Sequence, residues 1–214
     1  PTSVTTTSDK DNTEVYTVIE KWYNEGKYKP YSNNELYDVI LHAKRKIPEY
    51  IRIARIFRDI PLPNITGGAT IPNMRQELAE IMKSNGEYCK CIRCREIKDT
   101  VINTEPILKI TKYNSSNGTE IFLSYISLDI NNDYREKILA FGRLRLSKNP
   151  GIDLNDKKTK IDALSECALI RELHVYGNLV STFNKNGKDI SNNNSQHKGL
   201  GKNLLKKMEE LSII

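Results

Sequence analysis

The stretch Gln196-His-Lys-Gly199-Leu-Gly201-Lys-Asn-Leu-Leu205 decides the fold of the second half of this chain. Two glycines open a segment whose apolar residues recur at helical spacing, which predicts an amphipathic helix with one buried face: Leu200, Leu204, Met208 and Leu211. Glycines at a helix start let backbone N–H groups approach an anion, and the helix dipole adds positive potential there. Because Gly-x-Gly before a helix also forms plain tight turns, the stretch predicts either a phosphate cradle or a turn.

The sequence before this helix has the pattern of a sheet. Short β-type runs are separated by turns rich in Asn, Gly, Ser and Lys, at 106–112, 119–128, 137–146 and 167–180. A polar loop at 182–195 has little capacity to form a core. The run Ala168–Tyr176 directly precedes that loop. Since side chains alternate along a strand, Ile170, Glu172, His174 and Tyr176 are expected to share one face.

The first half reads as mostly helical. A helix is expected around Val15, Ile19, Trp22 and Tyr23. A capping box at Ser32-Asn-Asn-Glu35 opens a second helix whose expected inward residues are Leu36, Val39, Ile40 and Ala43. Residues 47–60 are compatible with a strand or a helix, and a third helix is expected from about Asn73 to Lys83, ending near Gly86. We place the domain boundary near residue 98.

Three of the four cysteines form a Cys-x-Cys-x-x-Cys motif, Cys89, Cys91 and Cys94. Such a turn supplies three corners of a tetrahedral metal site, whereas a disulfide framework would scatter its cysteines. The alternative is three buried or free cysteines. An iron–sulfur cluster normally needs a fourth cysteine, and only Cys167 remains, so zinc with a Cys₃His set is our interpretation. His42, His174 and His197 are the candidates for the fourth ligand.

The formal charge of +6 and the pI near 9.0 favour polyanionic partners. One basic run is interleaved with Tyr50 and Phe57 and opposed only by Glu49, and we predict that it binds RNA phosphates: Lys44, Arg45, Lys46, Arg52, Arg55 and Arg58. The alternative is an ordinary solvated face.

Targeting signals are not evident in the sequence. It contains no apolar run of membrane-spanning length and no charged start followed by an apolar signal segment. We therefore expect a cytoplasmic or otherwise intracellular protein without a membrane partner.

Four motifs together resemble the catalytic (third) subunit of Elongator. They occur in that family's order over nearly the whole chain: Tyr28-Lys-Pro-Tyr-Ser32, Ile51-Arg-Ile-Ala-Arg-Ile-Phe-Arg-Asp-Ile-Pro61, Cys89-Lys-Cys-Ile-Arg-Cys-Arg-Glu96, and Arg171-Glu-Leu-His-Val-Tyr-Gly177 followed by Gln196–Gly201. The Gln-x-x-Gly-x-Gly spacing is similar to the acetyl-CoA signature of GNAT acetyltransferases.

The resemblance implies an α/β (α+β) fold in three parts. Residues 1–85 would be the mostly helical C-terminal part of a radical SAM domain, 86–98 a zinc-binding linker, and 99–214 a GNAT domain with a mixed sheet. The cysteines that bind a radical SAM cluster are absent, so the S-adenosylmethionine and 4Fe–4S cluster of the family are not expected to bind this chain. The chain is also expected to stop before the closing GNAT strands, which makes turnover by this chain alone doubtful.

The resemblance further implies an acyltransferase that carboxymethylates C5 of the tRNA wobble uridine, using acetyl-CoA. Its implied partners are a tRNA anticodon stem-loop and, as a further option, other Elongator-type subunits or a second copy. The family's histidine ligand corresponds to His174, and Glu172 is the implied general base. The implied acetyl-CoA residues lie on the strand and the loop: Leu173, Val175, Tyr176, Gln196, His197, Lys198, Gly199, Leu200, Gly201 and Lys202.

Alternatives to these roles remain open at this stage. Glu172 could instead hydrogen-bond a metal ligand, or pair with Arg171 or a nearby lysine. GNAT machinery also acetylates protein lysines, but that substrate favours an acidic groove, against which the basic run 44–58 argues. A zinc-stabilised RNA-binding module without catalysis is the third function, and it would show no CoA-dependent thermal shift.

Overall fold

The computed structural model describes residues 3–5, 7–8, 14–15, 17–56, 62–71, 73–97, 104–129, 135–150, 161–164, 166–177 and 199–213. The chain divides into two compact units, Pro1–Cys94 and Arg95–Ile214. Each unit has its own cluster of buried apolar residues. Among the described helices, none is both long and apolar enough to cross a membrane.

The first unit is built mainly from helices. They are α1 (Val18–Asn24), α2 (Asn33–Lys46), α3 (Met74–Ser84) and the short α4 (Ile92–Arg95), which ends in the second unit. Two small antiparallel pairings accompany them, β1 (Ser3–Thr5) with β4 (Ile65–Gly68) and β2 (Thr7–Ser8) with β3 (Glu14–Val15). A 3₁₀ turn at Leu62–Asn64 precedes β4.

Local sequence signals fix the ends of α2 and α3. The Ser32 side chain accepts a hydrogen bond from the Glu35 amide, and the Glu35 carboxylate accepts one from the Ser32 amide at 2.8 Å, so the predicted capping box is confirmed. α3 follows Asn73 and ends before Gly86, whose φ of 68° lies in the left-handed region, as expected.

The core of the first unit includes two of the cysteines. Helices α2 and α3 bury their apolar faces together with Cys89 and Cys91: Leu36, Leu41, Met74, Leu78 and Met82. Ile53 and Ile56 pack against this cluster from the segment that follows α2. Residues 47–56 form neither a strand nor a helix, so neither option holds for the described part of 47–60.

Two expectations for the helices were wrong in detail. Val15 belongs to β3 rather than to α1. On α2 the predicted inward residues Val39 and Ala43 are exposed. The inward-facing position near the end of that helix is occupied by Lys44, which is only 1% exposed.

The second unit is a four-stranded sheet covered by a helix. The strand order is β5 (Ile107–Ser115), β6 (Gly118–Asp129), β7 (Arg135–Ser147) and β8 (Leu169–Val175), and all neighbours are antiparallel. A 3₁₀ turn, Asp162–Leu164, precedes β8. The four predicted β-type runs are confirmed. The sheet was expected to be mixed, and the parallel pairing within the described residues is the single bridge between Glu96 and Ile138.

Helix α5 (Leu200–Ser212) covers one face of this sheet. Its residues Leu200, Leu204 and Met208 are buried, and Leu211 packs at the edge of the cluster, so the predicted helix face is confirmed. They pack in one cluster with apolar residues of strands β6, β7 and β8: Ile121, Leu123, Leu139, Ala140, Leu144 and Val175. Burying a side chain such as Leu204 contributes roughly 1.5–3 kcal/mol, so the strand–loop–helix geometry at the start of α5 rests on this core.

Candidate cofactor, metal and RNA sites

The start of α5 has the backbone of an anion cradle. Gly199 precedes the helix with φ 66° and ψ 15°, a left-handed conformation that favours glycine. In the described part of the chain no side chain caps this end, and the first turn contains no acidic residue. The first N–H groups of a helix lack partners within it, so they are available to an anion here.

Gly201 lets α5 approach β8 closely. A Cβ atom at position 201 would lie 3.2 Å from the Cγ2 atom of Val175, which is tighter than ordinary van der Waals contact. At Gly199 a Cβ atom would meet no atom of the described residues within 4 Å, so these residues leave that position open. Lys202 is exposed in the first turn. The two glycines therefore serve different purposes, one for conformation and one for packing.

Strand β8 is the last strand of the described sheet. It pairs with β7 along one edge, and no described strand pairs with its other edge. Leu173 is exposed and Val175 is half-buried, while the Tyr176 amide donates to the Leu139 carbonyl at 2.8 Å. Among the described strands β8 is therefore an edge strand, and its apolar side chains lie beside the start of α5.

A β-bulge at Arg171 interrupts the alternation of side chains along β8. Glu172 lies opposite Arg143 and Ile170 lies opposite Leu144, which leaves Arg171 as the extra residue. Since Leu144 faces α5, Ile170 does not share the face of Glu172 and His174, contrary to the sequence expectation. The bulge changes which side chains point away from the helix.

Two ion-pair groups hold the bulged strand. Arg171 reaches across β7 to the Glu120 carboxylate at 2.7 Å, and Arg145 donates to the same oxygen at 2.9 Å. Glu120 is buried. The Nε atom of Arg143 donates to Glu172 at 2.9 Å, and its guanidinium lies over the Phe122 ring. These contacts position β8 relative to β6 and β7.

Glu172 is therefore an ion-pair partner of Arg143. The sequence left three roles open for Glu172: general base, hydrogen-bond partner of a metal ligand, and ion-pair partner. The structure shows an ion pair, although its cation is Arg143 and not Arg171 or a lysine. The Glu172 side chain is still 43% exposed. A general-base role for Glu172 stays a prediction.

His174 lies among aromatic rings in the second unit. Its ring stacks on Phe141 with centroids 5.8 Å apart, and the Tyr176 ring lies 4.4 Å away. The side chain is exposed, so a ring nitrogen is accessible to a metal. The assignment of His174 as the fourth metal ligand stays a prediction.

The three clustered cysteines come together at the end of the first unit. Their sulfur atoms all lie within 4.8 Å of one another. Zinc–sulfur bonds of about 2.3 Å in a tetrahedral site place sulfurs about 3.8 Å apart, so modest closure would seat a zinc ion. Cys89 and Cys91 are buried and Cys94 is exposed. Cys167 is exposed and belongs to the second unit, where its thiol donates to the Ala163 carbonyl.

The cluster favours a thiolate on Cys91. Hydrogen bonds from the Cys89 and Cys94 side chains hold the pKa of the Cys91 thiol well below its usual range, and the Ile53 and Cys94 backbone N–H groups act in the same direction. The same contacts raise the pKa of the Cys89 thiol. Thiols that share protons in this way are suited to exchange them for a metal cation.

The basic run does not form one surface as predicted. Lys44 is buried and near enough to Cys94 to interact electrostatically with its thiol, so its ammonium group is not exposed to RNA phosphates. Arg45 is exposed and bonds Glu87 at 2.8 Å, and Lys46, Arg52 and Arg55 are exposed. Arg58 lies outside the described residues. Of the predicted RNA-binding residues that the structure describes, Lys44 is the one whose burial on the inward face of α2 argues against a contact with RNA.

Sequence reasoning missed one exposed cation near this run. Arg93, inside the cysteine motif, donates to the Ala54 carbonyl and therefore lies beside the segment that carries Arg52 and Arg55. A basic residue between metal-ligand positions was the available signal. In the predicted acetyl-CoA loop, Gln196, His197 and Lys198 lie outside the described residues.

Known proteins resemble this chain over most of its length. Residues 15–84 match the model of the radical SAM C-terminal domain. The tRNA uridine(34) acetyltransferase of Dehalococcoides mccartyi is 34% identical over 200 residues, 92% of this chain and 40% of that protein. The Elongator complex protein 3 of Schizosaccharomyces pombe is 33% identical over 201 residues, 91% of this chain and 34% of that protein.

A solved structure agrees with these relatives. The Elp3 protein of Methanocaldococcus infernus, lacking residues 1–46, matches with a TM-score of 0.67 and 32% identity over 90% of this chain and 43% of that one. The chain thus spans between about one third and about two fifths of the length of these relatives. Over about nine tenths of its length, this chain is similar in sequence to the tRNA uridine(34) acetyltransferases and Elongator complex protein 3, and similar in fold to the solved Elp3 structure.

Proposed function

We propose that this chain supplies acetyl-CoA binding and tRNA binding to an acyltransferase that modifies C5 of the tRNA wobble uridine. The observation that carries the proposal is the left-handed Gly199 at an uncapped helix start, beside the open edge of β8. Relatives named tRNA uridine(34) acetyltransferase support the substrate. In this proposal residues 1–85 end a radical SAM domain, 86–98 form a zinc linker, and 99–214 form a GNAT domain.

The cofactor would lie along β8 and end at α5. Its pyrophosphate accepts hydrogen bonds from the N–H groups of Gly199, Leu200 and Gly201, and the exposed Lys202 contributes a positive charge. Its pantetheine arm lies near Leu173, Val175 and Tyr176, on the edge of β8 that no described strand covers. Such an arm carries amide groups, which pair with free backbone groups as a neighbouring strand does. Gln196, His197 and Lys198 complete the loop in this proposal.

The metal would be zinc in a structural role. Cys89, Cys91 and Cys94 supply three thiolates within one turn, and His174 is the proposed fourth ligand. A closed set of three sulfurs and one nitrogen leaves no position for water, which separates a structural zinc from a catalytic one. The buried ammonium of Lys44 offsets the negative charge of such a thiolate-rich site.

The tRNA would bind to exposed cations of the first unit. Arg45, Lys46, Arg52 and Arg55 are the described members of the predicted surface, and Arg93 joins them. Arginines hold phosphates through paired N–H donors, which suits the backbone of a stem-loop. A lysine-peptide acetyltransferase has no use for this surface, so RNA binding separates the two candidate substrates.

Replacing Arg52 and Arg55 with Ala should weaken tRNA binding and flatten its dependence on salt. Two lost phosphate contacts lower the slope of log K against log salt by roughly 1.4 to 1.8 units. The slope is measured by titrating labelled anticodon stem-loop RNA at several salt concentrations. The matched control replaces Lys21, in α1, and Lys27, just after α1, with Ala. Both side chains are 68% exposed, and this variant should keep most of the slope. Equal slopes for both double variants would contradict the proposed surface.

A further inference from the structure

The backbone of the segment Ile51–Ile56 is hydrogen-bonded to residues 89–95, which carry the three clustered cysteines and are called the cysteine turn below. The Ile92 amide donates to the Ile51 carbonyl at 2.9 Å, and the Ile53 N–H donates to the Cys91 sulfur. Arg93 donates to the Ala54 carbonyl. Backbone groups of a segment without regular structure need partners, and here residues of the cysteine motif provide them.

A residue of α3 completes the attachment. The Arg75 guanidinium donates to the Ile53 carbonyl at 3.2 Å, so both backbone groups of Ile53 are bound. The Ile53 and Ile56 side chains pack against the core cluster that contains Cys89 and Cys91. Arg52 precedes Ile53, Arg55 lies between Ile53 and Ile56, and both arginines are exposed. The segment is thus held on one side and presents its cations on the other.

The cysteine turn is too small to keep this arrangement by packing alone. Helix α4 has only four residues, Ile92–Arg95, and a single helical turn is marginal in water. Small sites of clustered thiolates obtain their folding energy from metal binding. The Cys91 sulfur accepts the Ile53 N–H and is also a metal ligand in the proposed function. Metal binding at Cys91 would therefore affect the position of the segment directly.

We infer that metal binding at Cys89, Cys91 and Cys94 orders Ile51–Ile56 and thereby makes RNA binding through Arg52 and Arg55 metal-dependent. The RNA part of this inference rests on the proposed function, whereas the ordering part rests on the contacts above. The partner is an anionic RNA backbone, and the metal does not touch it. Arg93 and Arg75 act as positioning residues for the segment.

Hydrogen exchange on the zinc-loaded chain, before and after chelation, tests the ordering directly. Peptides covering Ile51–Ile56 should exchange at least about tenfold faster once zinc is removed, because their backbone partners are released. Peptides covering β6 in the second unit should not change. Unchanged exchange at 51–56 after zinc has left the protein would overturn the inference while leaving the proposed RNA surface intact.

Faster exchange after chelation could also come from unfolding of the whole first unit. A variant that keeps every cysteine separates this explanation from the inference. Arg93→Met should retain zinc, yet it should accelerate exchange at 51–56 and weaken binding of the anticodon stem-loop. Lys46→Met removes one exposed charge from the end of α2 and should leave exchange at 51–56 unchanged. Equal exchange at 51–56 in the two variants would contradict a positioning role for Arg93.

Combining variants separates the inference from the proposed function. Chelation should weaken RNA binding by the parent chain but produce little further loss in Arg52→Ala/Arg55→Ala, because coupled changes are not additive. Full additivity would overturn metal-dependent RNA binding. If the double variant binds RNA like the parent, the proposed RNA surface fails, and the exchange result still decides whether the metal orders the segment.

Discussion

Gly199→Glu is expected to lower the affinity for CoA at least about 100-fold. The carboxylate would enter the open space in front of α5 and repel the pyrophosphate, and charge repulsion of this kind costs several kcal/mol, where 1.4 kcal/mol is tenfold. A side chain at φ 66° would also strain the backbone of the cradle. Isothermal titration with CoA, or a CoA-dependent thermal shift, measures the effect.

Gly26→Glu is the matched control for this change. Gly26 has φ 70° and open space around its Cβ position, so the new side chain meets the same backbone strain away from α5. The control should lose some stability and keep its CoA affinity. Gly199→Ala should lie between the parent and Gly199→Glu, since it adds strain without charge. If Gly199→Glu and Gly26→Glu bind CoA equally well, the loop is only a turn.

Cys91→Ser is expected to remove the metal and to destabilise the first unit by about 4 kcal/mol. Cys91 is fully buried, lies among the other two sulfurs and accepts the Ile53 N–H, so its loss combines loss of a metal with a weakened core. Elemental analysis should fall from about one zinc per chain to none. Trp22, the one tryptophan of the sequence, lies in α1 and reports denaturant unfolding of the first unit.

Cys167→Ser is the natural control for the metal. Cys167 is an exposed cysteine of the second unit, outside the cluster, and its replacement should leave both zinc content and the Trp22 transition unchanged. Iron in place of zinc, or a Cys91→Ser variant with undiminished metal, would contradict the proposed site.

Local signals made much of the fold predictable. The capping box at Ser32 and the glycine at 86 mark helix ends through contacts three or four residues apart, and such contacts are visible in sequence. The apolar spacing of α5 likewise predicted its buried face, because a single stripe satisfies the helical period. The β-type runs located the strands for the same reason.

Long-range contacts were not predictable. Lys44 resembled its charged neighbours, and its burial near Cys94, fifty positions away, is not visible in the local sequence. The Arg143–Glu172 pair joins residues 29 positions apart, and the bulge at Arg171 follows from strand register rather than composition. Segment 51–56 fitted neither strand nor helix because its backbone partners lie in the cysteine turn. Arg93, for example, bonds the Ala54 carbonyl from 39 positions away.

Hydrogen exchange of the chain with and without acetyl-CoA tests the central claim most directly. If the cofactor binds along β8 and at the start of α5, protection should appear in peptides covering Leu169–Gly177 and Gly199–Leu204, and the cysteine turn should be unaffected. Protection of both peptides, lost in Gly199→Glu, is the result that we predict. Saturating acetyl-CoA that protects neither peptide would contradict the proposed cofactor site.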